Sequence, residues 1–167
     1  MLSKKYIAVI DTETNWHDEV MSIGVVIADE NYNALDGKYY VIVPEVNVGG
    51  MFIHEVSHNI DEAIICSRAD ALFDIEMLLS EYGIDSLFAY NALFDKGHLR
   101  ELCAYKWYDI MRLAAYVQYN RSIPEDADIC STGRLKRGFG VQPIYRMLCG
   151  DTAYCENPTK ILRYVKK

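Results

Sequence analysis

The most constraining feature of this 167-residue chain is a strand-like apolar run that ends in two acidic residues. Residues 6–10 are apolar and partly β-branched on both faces, which predicts a central strand that is covered on each side. Asp11 and Glu13 follow, and because strand side chains alternate, the two carboxylates share one face. Neighbouring carboxylates raise each other's pKa unless a cation lies between them. The pattern therefore predicts a metal site at the end of a buried strand.

The order of the remaining segments predicts a single α/β domain over residues 1–167. Further strands are predicted at residues 20–28, 38–43 and 86–90. Helices are predicted at residues 61–82, after Asn91 and at residues 142–148, and residues 106–119 are read as a short strand followed by a helix. The short spacers between the first three strands favour antiparallel hairpins. Strands joined through helices after such a start predict a mixed sheet with helices on its faces.

Composition narrows the class of protein and its partners. A formal net charge of −7 argues against nonspecific electrostatic binding of nucleic acid. Cations bound by acidic groups would, however, reverse the local electrostatic field. The five cysteines are scattered and form no C-x-x-C pair, as is typical of reduced thiols. No apolar run is long enough to cross a bilayer. We therefore expect a soluble, cytoplasmic protein without a membrane partner.

Asp95 adds a third carboxylate, on the first turn of a helix that leaves a predicted strand. Asn91, four residues earlier, is positioned to cap that helix. Taken alone, Asp95 is the kind of acid that stabilises the positive end of a helix. If the preceding strand neighbours the first strand, Asp95 joins Asp11 and Glu13 as an oxygen ligand suited to Mg²⁺ or Mn²⁺.

These motifs together resemble the DEDD-type 3′-5′ exonucleases, relatives of the proofreading epsilon subunit of bacterial DNA polymerase III. The string DTET at residues 11–14 resembles their first motif, and NALFDKGHL at residues 91–99 resembles their second. The resemblance implies a ribonuclease H-like fold, with a five-stranded mixed sheet flanked by helices. It also implies that Asp11, Glu13 and Asp95 are three of four metal-binding carboxylates.

The resemblance further implies a reaction and a set of substrate contacts. Two divalent cations would bridge the scissile phosphate at the 3′ end of single-stranded DNA or RNA, and a nearby His or Tyr would orient or deprotonate water. Thr12 and Phe94 fall inside the motifs where the family contacts the terminal nucleotide, and Asn91 is predicted to join them. In the segment STGRLKRGFG, Arg134, Lys136 and Arg137 are predicted to be exposed and available to phosphates.

The C-terminal part departs from the family pattern, which expects a helix with His-x-x-x-x-Asp or Tyr-x-x-x-Asp after residue 151. Neither pattern is found there, so the domain is expected to be truncated or divergent from residue 156 onward, with impaired activity. A second copy of the chain would then cover the surface left bare. Tyr105 and Asp109 spell the second pattern but match a central strand, so Asp109 is predicted to cap the next helix. A catalytically inactive module that binds nucleic acid or protein is the alternative.

One further string predicts a different chemistry. His54, Glu55 and His58 fit H-E-x-x-H, which on a helix would hold zinc for peptide hydrolysis. A glycine pair at residues 49–50 precedes the string, and no sustained apolar helical stripe surrounds it. We therefore interpret these histidines as exposed residues of a loop or short helix, and a zinc protease is a remote alternative.

Overall fold

The strand that ends in two acids lies in the middle of a six-stranded mixed sheet. The computed structural model describes residues 5–150. Its strands are β1 (Ile7–Thr14), β2 (Val20–Ala28), β3 (Ala34–Ile42), β4 (Ile64–Cys66), β5 (Ser86–Ala89) and β6 (Lys106–Asp109). Its α-helices are α1 (Ile53–His58), α2 (Arg68–Glu81), α3 (Ala92–His98), α4 (Ile110–Ala114) and α5 (Val141–Cys149). The predicted divergence after residue 156 and the missing third motif lie outside the described residues.

The sheet order is β4-β3-β2-β1-β5-β6. The first three strands form two antiparallel hairpins, as their short connections predict. β5 and β6 run parallel to β1, and β4 runs parallel to β3. The predicted α/β, ribonuclease H-like class is therefore confirmed, but the sheet has six strands where five were expected. No helix within residues 5–150 has the length and apolar character that a membrane-spanning segment requires.

The additional strand comes from a segment that was predicted to be helical. Residues 64–66 pair with residues 40–42 at the edge of the sheet, as the β-branched Ile64 and Ile65 favour. The predicted helix at residues 61–82 consequently starts only at Arg68, where the Ser67 hydroxyl accepts a hydrogen bond from the Asp70 amide. Its predicted end is confirmed, because Gly83 follows with φ +61°.

Two shorter helices, α3 and α4, differ in part from their predictions: α3 in its cap and α4 in its length. Asn91 occupies the N-cap position of α3, but its backbone is left-handed at φ 73° and its side chain makes no capping bond. Asp109 does cap α4, because its carboxylate accepts from the Arg112 amide. α4 ends at Ala114, well before residue 119, since the Asn120 side chain donates to the Ala114 carbonyl at 2.6 Å. The helix predicted at residues 142–148 is confirmed as α5.

The two faces of the sheet bury different partners, and this decides where the acids point. Ala8 and Ile10 of β1 face the larger core, which includes Ile75 and Leu79 of α2. Val9 faces a second core that contains residues of α4 and α5. Because side chains alternate along β1, the acids at positions 11 and 13 continue the face of Val9. They therefore lie on the side of the sheet opposite α2.

A pair of glycines tests how tightly the end of β1 is packed. A Cβ added to Gly50 would lie 2.6 Å from the Thr14 carbonyl oxygen and 3.0 Å from the Met21 Cε, whereas one added to Gly97 would meet nothing within 4 Å. We expect Gly50→Ala to lower the free energy of unfolding by about 1–3 kcal/mol, because the backbone beside it must move. Gly97→Ala in α3 should raise that free energy by about 0.5–1 kcal/mol. Urea unfolding of both variants measures the difference, and equal effects would contradict the packing described here.

Candidate active site

The two acidic residues of β1 pair with small residues of the neighbouring strand β2. Asp11 pairs with Gly24 of β2, and Glu13 pairs with Ser22. Glycine inside a strand leaves space for another group to approach the backbone closely. The sheet surface beside the Asp11 carboxylate is therefore open.

Asp95 is bound directly to β1. Its residue is only 1% exposed, and its Oδ1 accepts hydrogen bonds from the Thr12 backbone amide at 3.0 Å and the Thr12 hydroxyl at 2.9 Å. This contact is possible because β5 runs parallel to β1, so that α3 starts at the end of the sheet where β1 also ends. The structure thus brings Asp95 to the residue that separates Asp11 from Glu13.

The three carboxyl groups have raised pKa values. Asp11 is exposed as a residue, but desolvation of its carboxyl group by the surrounding protein raises the pKa of Asp11 to about 6. Burial raises that of Asp95 to about 7, with the charge of Asp11 adding to it and the Thr12 hydrogen bonds opposing it. For Glu13, burial and then the charges of Asp11, Asp95 and Glu55 raise the pKa to about 8. Ionising all three carboxyls in this place is unfavourable unless positive charge is added.

The donor chemistry of this cluster fits a hard divalent cation. Carboxylate oxygens are the ligands that Mg²⁺ and Mn²⁺ prefer, and a cation would relieve the repulsion that raises these pKa values. Within residues 5–150, however, no three His, Cys, Asp or Glu side chains are already arranged to hold a metal ion. Asp11 and Glu13 would therefore have to reorient toward a cation shared with Asp95.

The acids open into a cleft of about 1090 Å³ that runs across the sheet. Asp11, Glu13 and Tyr39 line its floor, α1 lines one side, and residues near the start of α5 complete it. Sequence reasoning missed Tyr39 and the contribution of α1. The period-two pattern of β3 could have indicated Tyr39, but the link between α1 and the acids joins segments that are distant in the sequence.

The predicted substrate-binding residues fall into two groups. Thr12 lies on β1, and Asn91 and Phe94 lie at the start of α3. Phe94 is 37% exposed, and the centre of its ring lies 4.3 Å from the centre of the His98 ring. The second group comprises Arg134 and Lys136, and neither is among the described residues that line the cleft. Of these five residues, Thr12 contacts Asp95 directly, and none is among the described residues that line the cleft.

The predicted exposure of the basic segment is wrong for Arg134. Its guanidinium lies 4.5 Å from the centre of the Phe139 ring, and the residue is partly buried. Arg137 is exposed as predicted, and so is Lys136, whose amino group pairs with Asp128 at 2.8 Å. The turn from Cys130 to Gly133 and the aromatic ring of Phe139 hold this segment in a local packing that its charge pattern did not indicate.

The H-E-x-x-H string forms α1, a helix of only six residues. The His58 Nδ1 lies 3.1 Å from the His54 carbonyl oxygen, so that this ring nitrogen is directed back at its own helix. The described residues offer no third ligand arranged with the two histidines. The short helix and its exposed histidines match our interpretation of the string.

The raised pKa values predict how stability depends on pH. Because the folded-state values lie above those of the unfolded chain, the folded state binds more protons between about pH 4 and pH 8, and stability falls as pH rises through that range. In chelator-treated protein, Glu13→Gln should therefore raise the melting temperature at about pH 8 by roughly 2 °C or more. Added Mg²⁺ or Mn²⁺ should stabilise the wild type more than this variant.

Scanning calorimetry at two pH values measures both effects. Asp128→Asn is the matched control, because that carboxylate lies away from the cluster and pairs with Lys136. An equal response of the two variants would contradict a strained acidic cluster.

The contact between Thr12 and Asp95 makes a separate prediction. Thr12→Val removes the hydroxyl donor, so the pKa of Asp95 should rise by roughly one unit. Thr12→Ser keeps the donor and should leave that pKa close to the wild-type value. Titration of the Asp95 carboxyl carbon by NMR distinguishes the two, and an unchanged value in Thr12→Val would contradict the hydrogen bond.

Comparison with known proteins shows what the fold is similar to. No protein-family model matches the sequence, and no curated protein matches it. A product-bound structure of exonuclease I matches with a TM-score of 0.62 at 12% identity, covering 98% of this chain and 42% of that one. A zinc-bound complex of Escherichia coli exonuclease I with single-stranded DNA matches with a TM-score of 0.58 at 11% identity, covering 98% and 39%.

An Escherichia coli exonuclease I complex with an oligonucleotide gives a TM-score of 0.60 at 11% identity, again covering 98% of this chain and 39% of that one. The chain thus spans less than half the length of the proteins it matches. At these identities the similarity shows the fold alone: this chain adopts an α/β fold like the one within exonuclease I.

Proposed function

We propose that this protein is a metal-dependent 3′-5′ exonuclease that acts on single-stranded DNA. The observation that carries the proposal is the hydrogen bonding of the buried Asp95 to Thr12, the residue between Asp11 and Glu13. This contact lies at the end of the central strand of a sheet similar to that of exonuclease I. Phosphodiester hydrolysis requires charge compensation for the reacting phosphate. A cluster of three carboxylates with raised pKa values supplies the place for that compensating charge.

Each residue of the cluster has a distinct part in this proposal. Asp11, Glu13 and Asp95 would hold the Mg²⁺ or Mn²⁺ ions, and Thr12 fixes the orientation of the Asp95 carboxylate through its two hydrogen bonds. A divalent cation bound there would polarise the phosphate and lower the pKa of the attacking water. Phe94, partly exposed at the start of α3, would contact the terminal base by stacking.

The charges around the cleft predict a substrate affinity that depends on bound metal. Lys38 is the sole lysine or arginine among the described residues that line the cleft, and its amino group is paired with Asp74 at 2.8 Å. The phosphate backbone therefore meets mostly acidic and neutral groups on this surface. Affinity for the strand should depend on bound cations far more than on direct contacts with basic side chains.

The solved relatives also bear on the choice of substrate. Two of the matching exonuclease I structures are complexes with single-stranded DNA or an oligonucleotide. An open cleft that leads to the acids can admit the unpaired 3′ end of a single strand. RNA cleavage in place of DNA cleavage is an outcome that the same assay distinguishes.

The activity is tested with a 5′-labelled single strand in Mg²⁺ or Mn²⁺. We expect stepwise shortening from the 3′ end, and Asp11→Ala should reduce turnover by at least about 100-fold, because loss of a metal ligand exceeds the cost of losing an outer-shell partner. Asp128→Ala is the control and should retain wild-type turnover. A labelled duplex with blunt ends should be degraded more slowly than the single strand.

Two results would contradict the proposal in different ways. Turnover that survives Asp11→Ala would mean that the cluster is not the active site. Metal-dependent binding of the strand without any shortening would favour the inactive binding module, which was the alternative from the sequence.

A further inference from the structure

The helix α1 faces the same cleft as the acidic cluster. His54, Glu55 and His58 line the cleft together with Asp11 and Glu13. The orientation of the helix is fixed from below, because Val56 is 1% exposed and packs in one cluster with Met21 and Val41. The polar residues of H-E-x-x-H therefore belong to the wall of the candidate active site.

The charges of this wall act on the acidic cluster. The charge of Glu55 contributes to the raised pKa of Glu13. Charges in a protein surrounded by salt solution influence each other over about 10 Å or less. His58 lies one turn along α1 from Glu55 and lines the same cleft as Asp11 and Glu13.

The hydrogen bond of His58 determines which of its ring nitrogens can accept a proton. The Nδ1 atom lies 3.1 Å from the His54 carbonyl oxygen. A carbonyl only accepts, so Nδ1 carries the hydrogen in the neutral ring, and the lone pair is on Nε2. The backbone thus selects the tautomer that a general base requires.

The other histidines are less suited to this role. The chain has four, and His98 uses both ring nitrogens, with Nδ1 at 2.9 Å from the Phe94 carbonyl oxygen and Nε2 at 3.1 Å from the Asp18 carboxylate. His17 lies on the exposed turn after β1 and does not line the cleft. His17 is therefore the control histidine, whereas His54 lines the same cleft as His58.

We infer that His58 is a catalytic residue, which accepts the proton of the attacking water during strand cleavage. The inference rests on the proposed function. The water oxygen forms a bond to phosphorus, the bond from phosphorus to the 3′ oxygen breaks with its electron pair, and Nε2 of His58 takes one water proton. The departing 3′ oxygen is protonated by solvent, giving a nucleoside 5′-monophosphate and a strand shorter by one nucleotide.

Kinetics of His58→Ala against His17→Ala test this role. We expect His58→Ala to lower kcat by about 10²- to 10⁴-fold at neutral pH, the usual contribution of a positioned base, with little change in KM. Imidazole added to the buffer should restore part of the lost rate of His58→Ala. His17→Ala, on the exposed turn outside the cleft, should stay within about threefold of the wild type. A His58→Ala variant within that range would overturn the inference.

A measurement that needs no turnover addresses the tautomer. Nitrogen-15 NMR of the neutral imidazole rings should show hydrogen on Nδ1 of His58, and titration with a nucleoside 5′-monophosphate and Mg²⁺ should shift the His58 ring signals but not those of His17. Hydrogen on Nε2 of the neutral ring would overturn the assignment.

The two proposals fail in different ways. If Asp11→Ala abolishes turnover while His58→Ala does not, the proposed function stands and His58 is not the base. If the wild type does not shorten a strand in either metal, the proposed function itself is overturned and the role of His58 with it.

Discussion

The geometry of the candidate site depends on the pair of hydrogen bonds between Thr12 and Asp95. Thr12 is 4% exposed and Asp95 is 1% exposed, so neither group can exchange its partner for water without opening the core. A buried carboxylate that lost these donors would pay a large desolvation cost. The bonds therefore fix the start of α3 against β1, and through it the spacing between the acid of the helix and the two acids of the strand.

This arrangement opposes the electrostatics of the cluster. Thr12 lowers the pKa of Asp95, whereas burial and Asp11 raise it by more. The fold therefore holds the carboxyls close enough together that protonation or a bound cation is favoured over three unscreened charges. Hydrophobic packing on the far side of the sheet, around Ile10 and Ile75, offsets this cost. Strain of this kind is typical of functional sites.

The sequence predicted the hairpins, the placement of α5 and the acid-bearing ends of β1 and α3, because each depends on local periodicity and on residues next to each other in the chain. It did not predict β4, since pairing of Ile64 and Ile65 with β3 is a tertiary contact that overrides the helical pattern downstream. The packing of Arg134 on Phe139 was missed for a similar reason. Charge patterns indicate which residues prefer water, and they do not indicate which aromatic ring lies nearby.

The H-E-x-x-H string shows how the surrounding fold determines chemistry. On a long helix the two histidines, one turn apart, would both face a metal. Here the helix has six residues, it is anchored to the sheet by Val56, and the carbonyl of His54 accepts from the His58 ring. That bond commits Nδ1 of His58 and leaves Nε2 as the basic atom on a wall shared with Glu13. In this fold the sequence that elsewhere provides two zinc ligands therefore places a proton acceptor beside a carboxylate cluster. The reason is that the His54 carbonyl determines the orientation of the His58 ring.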